Sequence, residues 1–425
     1  MSKKYIFSDV AEFISEKILL KSLSVEHYIS TDNMLPNLGG IVLADKLPTG
    51  DRCNHFKKGD VLFSNIRTYF KKVWLAEFEG GCSADVLIVR SKDENIVLNS
   101  YLYLIMCSDQ FIDFTNASSK GSKMPRGDKN AILKYEFELP PIYEQKELVN
   151  RYLTFNQKIQ LNTQINQTLE QIAQAIFKSW FIDFDPVKAK AEAKAQGATD
   201  EQANIAAMSV ISGKSPDQLN AYKQTNPTDY QQLHQLAQAF PSEFEEIDGV
   251  EVPKGWGIEK IEDIIQKIPV GKKYSQKNVF EEGDIPVLDQ GKSGIIGYHN
   301  DKAGVNASTD NPVIVFANHT CYMRLISYPF SAIQNVFAFK GKEVDVFWLY
   351  LATLGKQEFT EYKGHFPDFL IKQIVVPNKE MTFLFSQFIS ENFMKTFSND
   401  EENKHLSKLR DLLLPKLLSG DVVNV

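Results

Sequence analysis

The segment FSNIRTY (Phe63–Tyr69) recurs in the second half of the chain as FANHTCY (Phe316–Tyr322), with phenylalanine, asparagine and tyrosine at the same spacing. Each copy continues a strand-like apolar run, GDVLFS in the first half and NPVIVFA in the second. Two further pairs follow in the same order: SADVLIVRSK (83–92) matches SAIQNVFAFKGK (331–342), and YLYL (101–104) matches WLYL (348–351). This shared order predicts a duplicated unit, and a duplication fixes the architecture before any local assignment.

The two halves keep a constant register beyond a short apolar strand that ends in proline. Pro140 and Pro377 lie 237 positions apart, and so do Asn166 and Asn403. Because insertions accumulate in loops rather than inside regular elements, a register held this long is expected of one uninterrupted helix in each half.

The stretch Glu144–Phe181 independently shows the apolar seam of a coiled coil. The seam positions, spaced alternately by four and three residues, are Leu148, Tyr152, Phe155, Ile159, Asn162, Asn166, Leu169, Ala173, Ile176 and Trp180. An asparagine in such a seam lowers stability but penalises wrong registers, so Asn166 and its counterpart Asn403 are candidates for setting the alignment of two helices. The alternative is that these side chains face solvent in a locally irregular seam.

A second long helix is predicted from Met381 to Leu418. Its apolar face contains Phe385, Ile389, Phe393, Leu406, Leu409 and Leu413. Pro415 and Gly420 are expected to mark its end, because proline and glycine disfavour continuation of a helix. A helix of roughly 40 residues is about 60 Å long, enough to hold two domains well apart.

Length and composition favour a globular protein with two domains. The chain has 425 residues, of which 43% are hydrophobic and 24% charged. Its apolar runs fall far short of the roughly 20 residues needed to cross a bilayer, and its N-terminus lacks the apolar core of a secretory signal, so we expect a cytoplasmic location. The four cysteines are scattered without a metal-binding or disulfide pattern.

The candidate motifs for catalysis are incomplete in this sequence. The run Gly291–Ser293 (GKS) would need a glycine five residues before Gly291 to form a phosphate-binding loop, and Pro286 stands there. The histidines lack neighbours that would make a metal site or a catalytic triad. We therefore predict no catalytic and no metal-binding residues in this chain.

Both halves carry basic, amide and aromatic residues in the loops that follow the repeated strands, as a DNA-reading surface requires. The candidate DNA-contact residues of the first half are Asn65, Arg67, Tyr69, Lys71, Lys72, Lys120, Lys123, Arg126 and Lys129. Those of the second half are Lys272, Lys273, Lys292, Asn318, His319, Tyr322, Arg324, Lys363 and His365. For any single lysine a solvated loop charge is the simpler interpretation, but recurrence at equivalent places favours DNA binding by the two sets. The net charge of −7 opposes a generally basic surface, so any DNA contact must be local.

Four blocks resemble the helical regions and linkers of the specificity subunits of type I restriction-modification systems. They are LPPIYEQKELV (139–149), AIFKSWFIDFDPVKAKAE (175–192), AFPSEFEEIDGVEVPKGW (239–256) and LRDLLLPKLLSGDV (409–422). The resemblance extends over essentially the whole chain, and the blocks occur in the right order. One departure is the connector after Asp183, which looks long and contains an Ala/Gln-rich insertion.

The resemblance implies an α+β fold with two globular α/β target-recognition domains in a pseudo-twofold arrangement, separated by two long antiparallel, coiled-coil-like helices. The expected segments are residues 1–140 (first recognition domain), 141–182 (first long helix), 183–252 (helical connector), 253–378 (second recognition domain) and 379–425 (second long helix and tail).

The resemblance also implies partners. Each recognition domain would read one half of a bipartite double-stranded DNA target. Two modification subunits would form an adenine methyltransferase with this chain, and restriction subunits would translocate and cut DNA. S-adenosylmethionine, ATP and Mg²⁺ would bind to those partners, with no cofactor on this chain and no membrane contact. The alternatives are a stand-alone DNA-binding regulator with two recognition heads and, least favoured, an enzyme acting alone.

Overall fold

The computed structural model describes residues 3–119, 125–291, 294–361 and 363–419. The chain divides into two compact units. The first consists of residues up to Asn166 together with those from Ser398 onward, and the second consists of Gln167–Phe397. Each long helix therefore contributes one portion to each unit.

The elements of the first half follow one another in a simple order. Its strands are β1 (Lys3–Ile6), β2 (Ala11–Ile14), β3 (Lys17–Leu19), β4 (Tyr28–Ile29), β5 (Arg52–Phe56), β6 (Val61–Ser64), β7 (Val73–Leu75), β8 (Gly80–Cys82), β9 (Val86–Ser91) and β10 (Glu136–Leu139). Its helices are α1 (Phe7–Val10), α2 (Asn99–Cys107), α3 (Asp109–Ala117), α4 (Lys129–Ile132) and the long α5 (Ile142–Phe181).

The second half begins with four helices and a hairpin before the order of the first half returns. The connector contains α6 (Asp185–Ala195), α7 (Asp200–Ser212), α8 (Pro216–Thr225), α9 (Pro227–Ala239), β11 (Phe244–Ile247) and β12 (Val250–Pro253). The strands that follow are β13 (Gly257–Lys260), β14 (Ile265–Ile268), β15 (Lys273–Tyr274), β16 (Ile285–Leu288), β17 (Ile295–His299), β18 (Val313–Ala317), β19 (Met323–Ile326), β20 (Ser331–Ile333), β21 (Val336–Gly341) and β22 (Gln373–Val376). The helices among and after them are α10 (Ile261–Ile264), α11 (Val346–Thr353), α12 (Phe366–Leu370) and the long α13 (Lys379–Ser419).

Strand pairing confirms the internal repeat. The antiparallel sheet β2-β9-β6-β7 of the first half corresponds to β14-β21-β18-β19 of the second, and the pair β1-β10 corresponds to β13-β22. The second four-stranded sheet differs in order, β3-β5-β8-β4 against β15-β20-β16-β17. The duplication is therefore closest in the sheet that carries the repeated segments.

The repeated strands β6 and β18 are buried along their whole length because both faces of their sheets are covered. On β6, Val61 and Phe63 pack into one core cluster and Leu62 into another. On β18, Ile314 and Phe316 likewise pack apart from the side chains that alternate with them. Side chains alternate between the faces of a strand, so these apolar runs hold each sheet between two hydrophobic layers.

The two long helices run antiparallel in the first unit and also pack against each other in the second. In the first unit, Asn156 of α5 contacts Arg410 of α13, whereas the later Asn162 contacts the earlier Asn403. In the second unit, the rings of Trp180 and Phe385 lie 5.5 Å apart, centroid to centroid. The prediction of a long antiparallel helix pair is confirmed.

Asparagines form a polar layer between the helices in the first unit. Asn162 is fully buried, and its Nδ2 donates to Asn403 Oδ1 at 3.0 Å and to Glu402 Oε2 at 2.7 Å. Asn166 Oδ1 accepts from Nδ2 of the buried Asn399 at 2.8 Å. Both asparagines expected in the seam therefore bond across it, each to a different partner, and the solvent-facing alternative is wrong for this layer.

The expectation that Pro415 ends the second helix is wrong. Helix α13 continues through Pro415 to Ser419, and Gly420 lies outside the described residues. Proline inside a helix costs ~3 kcal/mol, but Leu414 and Leu417 on either side of it are buried in the core of the first unit. Burying two leucines contributes roughly 3–6 kcal/mol, which offsets the lost backbone hydrogen bond.

The connector packs into the core of the second unit rather than forming a separate layer. Ala207, Met208 and Phe240 belong to the same buried cluster as Trp180 of α5. Lys190 is buried as well, and its ammonium donates to the backbone carbonyls at the end of α9. Within the part of the chain that the structure describes, no helix is long and apolar enough to cross a membrane.

Candidate nucleic-acid interface

In the first half, two loops meet where strand β6 ends. The backbone N–H of Arg67 donates to Pro125 O at 2.8 Å, and that of Gly127 donates to Asn65 O at 3.2 Å. We call residues 65–72 and 125–129 together the first loop pair. It unites candidate residues that lie about sixty positions apart in the sequence.

The second half repeats this junction where strand β18 ends. The backbone N–H of His365 donates to Asn318 O at 2.9 Å, and that of Phe366 donates to the Asn318 side-chain Oδ1 at 2.9 Å. His319 bonds to the carbonyl of Lys363 through Nδ1 at 2.8 Å. Residues 318–324 and 363–366 form the second loop pair.

A glycine brings the loops of each pair together. Gly127 and Gly364 lie 237 positions apart, in the same register as the helices. A Cβ atom on Gly127 would lie 2.9 Å from Asn65 Oδ1, and one on Gly364 would lie 2.8 Å from Asn318 Nδ2. Both distances are too short for a real Cβ, so a larger residue at either place would force the asparagine side chain or the loop to shift.

The structure places three of the candidate DNA-contact residues inside the protein. Asn65 and Asn318 are each 8% exposed, and His365 is fully buried with its Nε2 at 2.9 Å from Glu361 O. Their side chains face the protein and shape the loops. A strand-end asparagine that recurs in both halves is thus a feature of loop architecture, which sequence spacing alone does not distinguish from base reading.

The first loop pair presents a positively charged and aromatic surface. Arg67, Arg126 and Lys129 are exposed, and Tyr69 is 49% exposed. Arg67 adopts a left-handed backbone conformation with φ 52°, which is unusual for a residue other than glycine and is found mainly at turns and functional sites. The Arg126 guanidinium also pairs with Asp85 at 2.8 Å.

Two lysines of the first loop pair bond to other groups of the protein. Lys71 forms an ion pair with Asp109. Lys72 is half-buried and donates to Thr31 O at 2.6 Å. Burial lowers the pKa of Lys72; Asp32 opposes this shift and the positive charge of Arg67 adds to it. Lys120 and Lys123 lie outside the described residues.

The second loop pair carries different side chains, of which His319, Tyr322 and Arg324 are half-buried and Lys363 is exposed. Arg324 lies over the ring of Tyr322, 5.6 Å from its centroid, and donates to Asp289 O at 3.0 Å. His319 Nε2 accepts from Asn335 Nδ2 at 3.0 Å, which fits the tautomer with the proton on Nδ1. Lys363 pairs with Glu361 at 3.1 Å.

The remaining basic candidates of the second half belong to another part of the fold. Lys272 and Lys273 lie at strand β15, in the sheet that also contains β16, β17 and β20. Lys272 is paired with Asp301 at 2.9 Å, and burial lowers the pKa of Lys273. Lys292 lies outside the described residues.

Two partners of the loops were missed by sequence reasoning. Asp85 and Asn335 stand at the start of strands β9 and β21, and each accepts from the strand-end asparagine through its backbone carbonyl. Their side chains then bond to Arg126 and His319. The matched segments SADV and SAIQNV carry the signal, because both place a short polar residue directly before the strand.

The described part of the chain contains no cluster of three or more His, Cys, Asp or Glu side chains that could hold a metal ion. The exposed arginine, lysine and tyrosine side chains of the first loop pair, and the exposed Lys363 and half-buried Arg324 of the second, are suited to contacts with phosphates and base edges.

Comparison with known proteins identifies the family. Residues 4–171 match the family model described as type I restriction modification DNA specificity domain. The HindI specificity subunit of a type I restriction enzyme from Haemophilus influenzae is 33% identical over 99% of both chains. The MjaIX specificity subunit from Methanocaldococcus jannaschii is 21% identical over 77% of this chain and 69% of its own. The solved S subunit of a type I restriction-modification system from M. genitalium covers 98% of this chain and 96% of its own, at 13% identity and a TM-score of 0.45. With full-length similarity to the HindI subunit, this chain belongs to the family of type I restriction enzyme specificity subunits.

Proposed function

We propose that the chain binds a bipartite, asymmetric DNA target, with each loop pair reading one half of it. The observation that carries this proposal is the recurrence of one loop junction with different exposed side chains. The scaffold residues Asn65 and Asn318 match, whereas the exposed Arg67 of the first half corresponds to Thr320 in the second, and Lys71 corresponds to Arg324. Two loop pairs with the same buried framework but different contact side chains are suited to reading two different half-sites of a DNA target.

Each exposed group has a role that its chemistry allows. Arg67 and Arg126 present guanidinium groups, which bond in a bidentate manner to guanine or to phosphate. Tyr69 offers an aromatic face and a hydroxyl, and Lys129 offers a point charge for the phosphate backbone. We assign sequence reading to Arg67, Tyr69 and Arg126, and phosphate contact to Lys129.

The net charge of −7 limits how tightly the chain alone can hold DNA. Nonspecific affinity grows with the number of phosphates that a protein neutralises, and here the candidate contact groups are few on a chain whose net charge is negative. We infer that partner subunits supply much of the phosphate contact, so that this chain contributes sequence choice more than affinity.

We propose two modification subunits and, in the restricting complex, additional restriction subunits as partners in the cytoplasm. Six apolar side chains on the long helices support such docking because they are between 43% and 59% exposed: Leu161, Ile172, Phe383, Phe388, Leu409 and Leu412. The chain itself would be non-catalytic. S-adenosylmethionine for adenine methylation, and ATP and Mg²⁺ for restriction, would bind to the partners.

The test is co-expression with the modification subunit, followed by mapping of methylated adenines. We expect a complex of two modification chains and one copy of this chain that methylates a split target. R67A is expected to weaken discrimination at one half-site by about 1–3 kcal/mol, while K408A, which removes an exposed lysine of α13, leaves it unchanged. Tight, site-specific binding by the isolated chain would instead favour the stand-alone regulator.

A further inference from the structure

A buried arginine on the second long helix connects that helix to the first recognition surface. Arg410 of α13 is fully buried. Its Nη2 donates to Asn37 O at 2.9 Å, and its Nη1 donates to Leu38 O and to Asn156 Oδ1, both at 3.2 Å. All these groups lie in the first unit.

The two carbonyls that Arg410 holds belong to a strained turn. Asn37 and Leu38 are consecutive non-glycine residues with left-handed backbones, φ 54° and 59°. Such conformations are costly and persist only where the surroundings fix them. The turn also lies against α5, because a Cβ on Gly40 would come within 2.8 Å of Gln160 Cγ.

The same turn supports the first loop pair from behind. The backbone N–H of Asn37 donates to Phe70 O at 2.8 Å, and that of Leu38 donates to Lys71 O at 3.0 Å. A continuous chain of hydrogen bonds therefore leads from the Arg410 guanidinium through the turn to the loop that carries Arg67 and Tyr69.

Arginine is the side chain that this position requires. The guanidinium has several donors in a fixed plane, and here it also donates from Nε to Asp411 Oδ1 at 2.9 Å. A buried charge is costly unless its donors are satisfied. Asn156 completes the arrangement, since its Nδ2 donates to the buried Tyr103 hydroxyl at 2.6 Å.

The described residues at the matching positions of the second half do not repeat this connection. In the constant register, Arg410 corresponds to Ala173 and Asn156 corresponds to Phe393. Phe393 stacks on Phe347 at 4.7 Å, and the hydroxyl of Tyr350 donates to Glu170 at 3.1 Å. Apolar packing thus replaces the buried polar group, so the two loop pairs are supported by different chemistry.

We infer that Arg410 is a positioning residue for recognition of one half-site: it fixes the turn at Asn37 and Leu38 and thereby the conformation of the first loop pair. This inference rests on the proposed reading of DNA by that loop pair. It predicts that loss of Arg410 weakens discrimination at the half-site that depends on Arg67 and spares the other.

The experiment compares R410M and R410K with K408M in the complex with modification subunits. Hydrogen exchange at the amides of Asn37 and Leu38 is expected to accelerate by about tenfold or more in both Arg410 variants, and to stay unchanged in K408M. R410K keeps the charge but loses the planar donors, so it remains informative if R410M does not fold.

The second readout is methylation of duplexes with base changes in one half-site or the other. We expect discrimination to fall by about tenfold at the half-site that R67A affects, with the other half-site unchanged. Equal losses at both half-sites, or unchanged exchange at Asn37 and Leu38, would overturn the positioning role. If R67A itself alters neither half-site, the DNA-reading proposal fails, and the exchange rates alone then decide whether Arg410 fixes the turn.

Discussion

Replacing Gly364 by alanine tests whether the close approach of the two loops holds the second recognition surface together. The added Cβ would lie 2.8 Å from Asn318 Nδ2. Asn318 cannot move freely, because it is buried and its Oδ1 accepts from the backbone N–H of Phe366 at the start of α12. The backbone of Gly364 is not in the left-handed region, so the effect of the substitution is steric.

The expected cost follows from overpacking of a buried site. Forcing an extra methyl group into a well-packed region typically costs 1–3 kcal/mol, about the range that we expect for G364A. For a unit the size of Gln167–Phe397, a change of 1 kcal/mol shifts the unfolding midpoint by roughly 2–4 °C. The midpoint of G364A should therefore fall by about 2–12 °C.

Tryptophan fluorescence suits this measurement, because Trp180, Trp256 and Trp348 all lie in the second unit. The matched control is G257A, where the added Cβ would meet side-chain atoms only at an ordinary 3.7 Å. We expect G257A to melt at or slightly above the wild-type temperature, since alanine is less flexible than glycine in the unfolded chain. Equal melting of G364A and G257A would refute the steric argument.

Two further predictions concern buried polar groups. The double variant N162L/N403L should raise the unfolding midpoint, because it removes the buried Asn162 Oδ1, which has no hydrogen-bond partner among the described residues. A buried polar atom without a partner costs about 1–3 kcal/mol. An unchanged or lower midpoint in thermal melts would contradict this prediction. H299Q should flatten the pH dependence of urea unfolding. Burial lowers the pKa of His299 below its ordinary 6.5, so the unfolded chain binds the proton more readily. The contribution of neutral His299 to the free energy of unfolding is then complete above about pH 6.5 and is lost as the pH falls below it. A wild-type urea midpoint that is equal at pH 7 and pH 5 would contradict this role of His299.

The architecture was predictable because it depends on periodic patterns. Strands β6 and β18 and both long helices follow from apolar spacing and from a register that stays constant over many residues. Hydrophobic period reports directly on which face of an element is buried. The prolongation of α13 beyond Pro415 was not predictable in this way, because it depends on the burial of Leu414 and Leu417 against another part of the first unit.

The candidate site was predictable as a set and not residue by residue. The recurrence of basic loops singled out segments that the fold brings together as the two loop pairs, but the same recurrence placed Asn65, Asn318 and His365 among the contact residues although the fold buries them. Spacing shows that a polar residue ends a strand, whereas its orientation depends on the loop that packs over it. Arg410 was missed for the same reason, since a single arginine in LRDLLLPK has the pattern of a solvated helix charge.

The different tolerance of buried and exposed positions suggests how recognition can change without loss of the fold. At each loop junction, a Cβ added to the glycine would lie within 3.0 Å of the strand-end asparagine side chain, which leaves little room for a larger residue. Arg67 and Tyr69 project from the same junction, and exposed positions tolerate exchange at a cost that is usually within about 0.5 kcal/mol. Under the proposed function, stability and DNA choice depend on separate residues of one loop pair, and a new half-site requires changes only in the exposed groups.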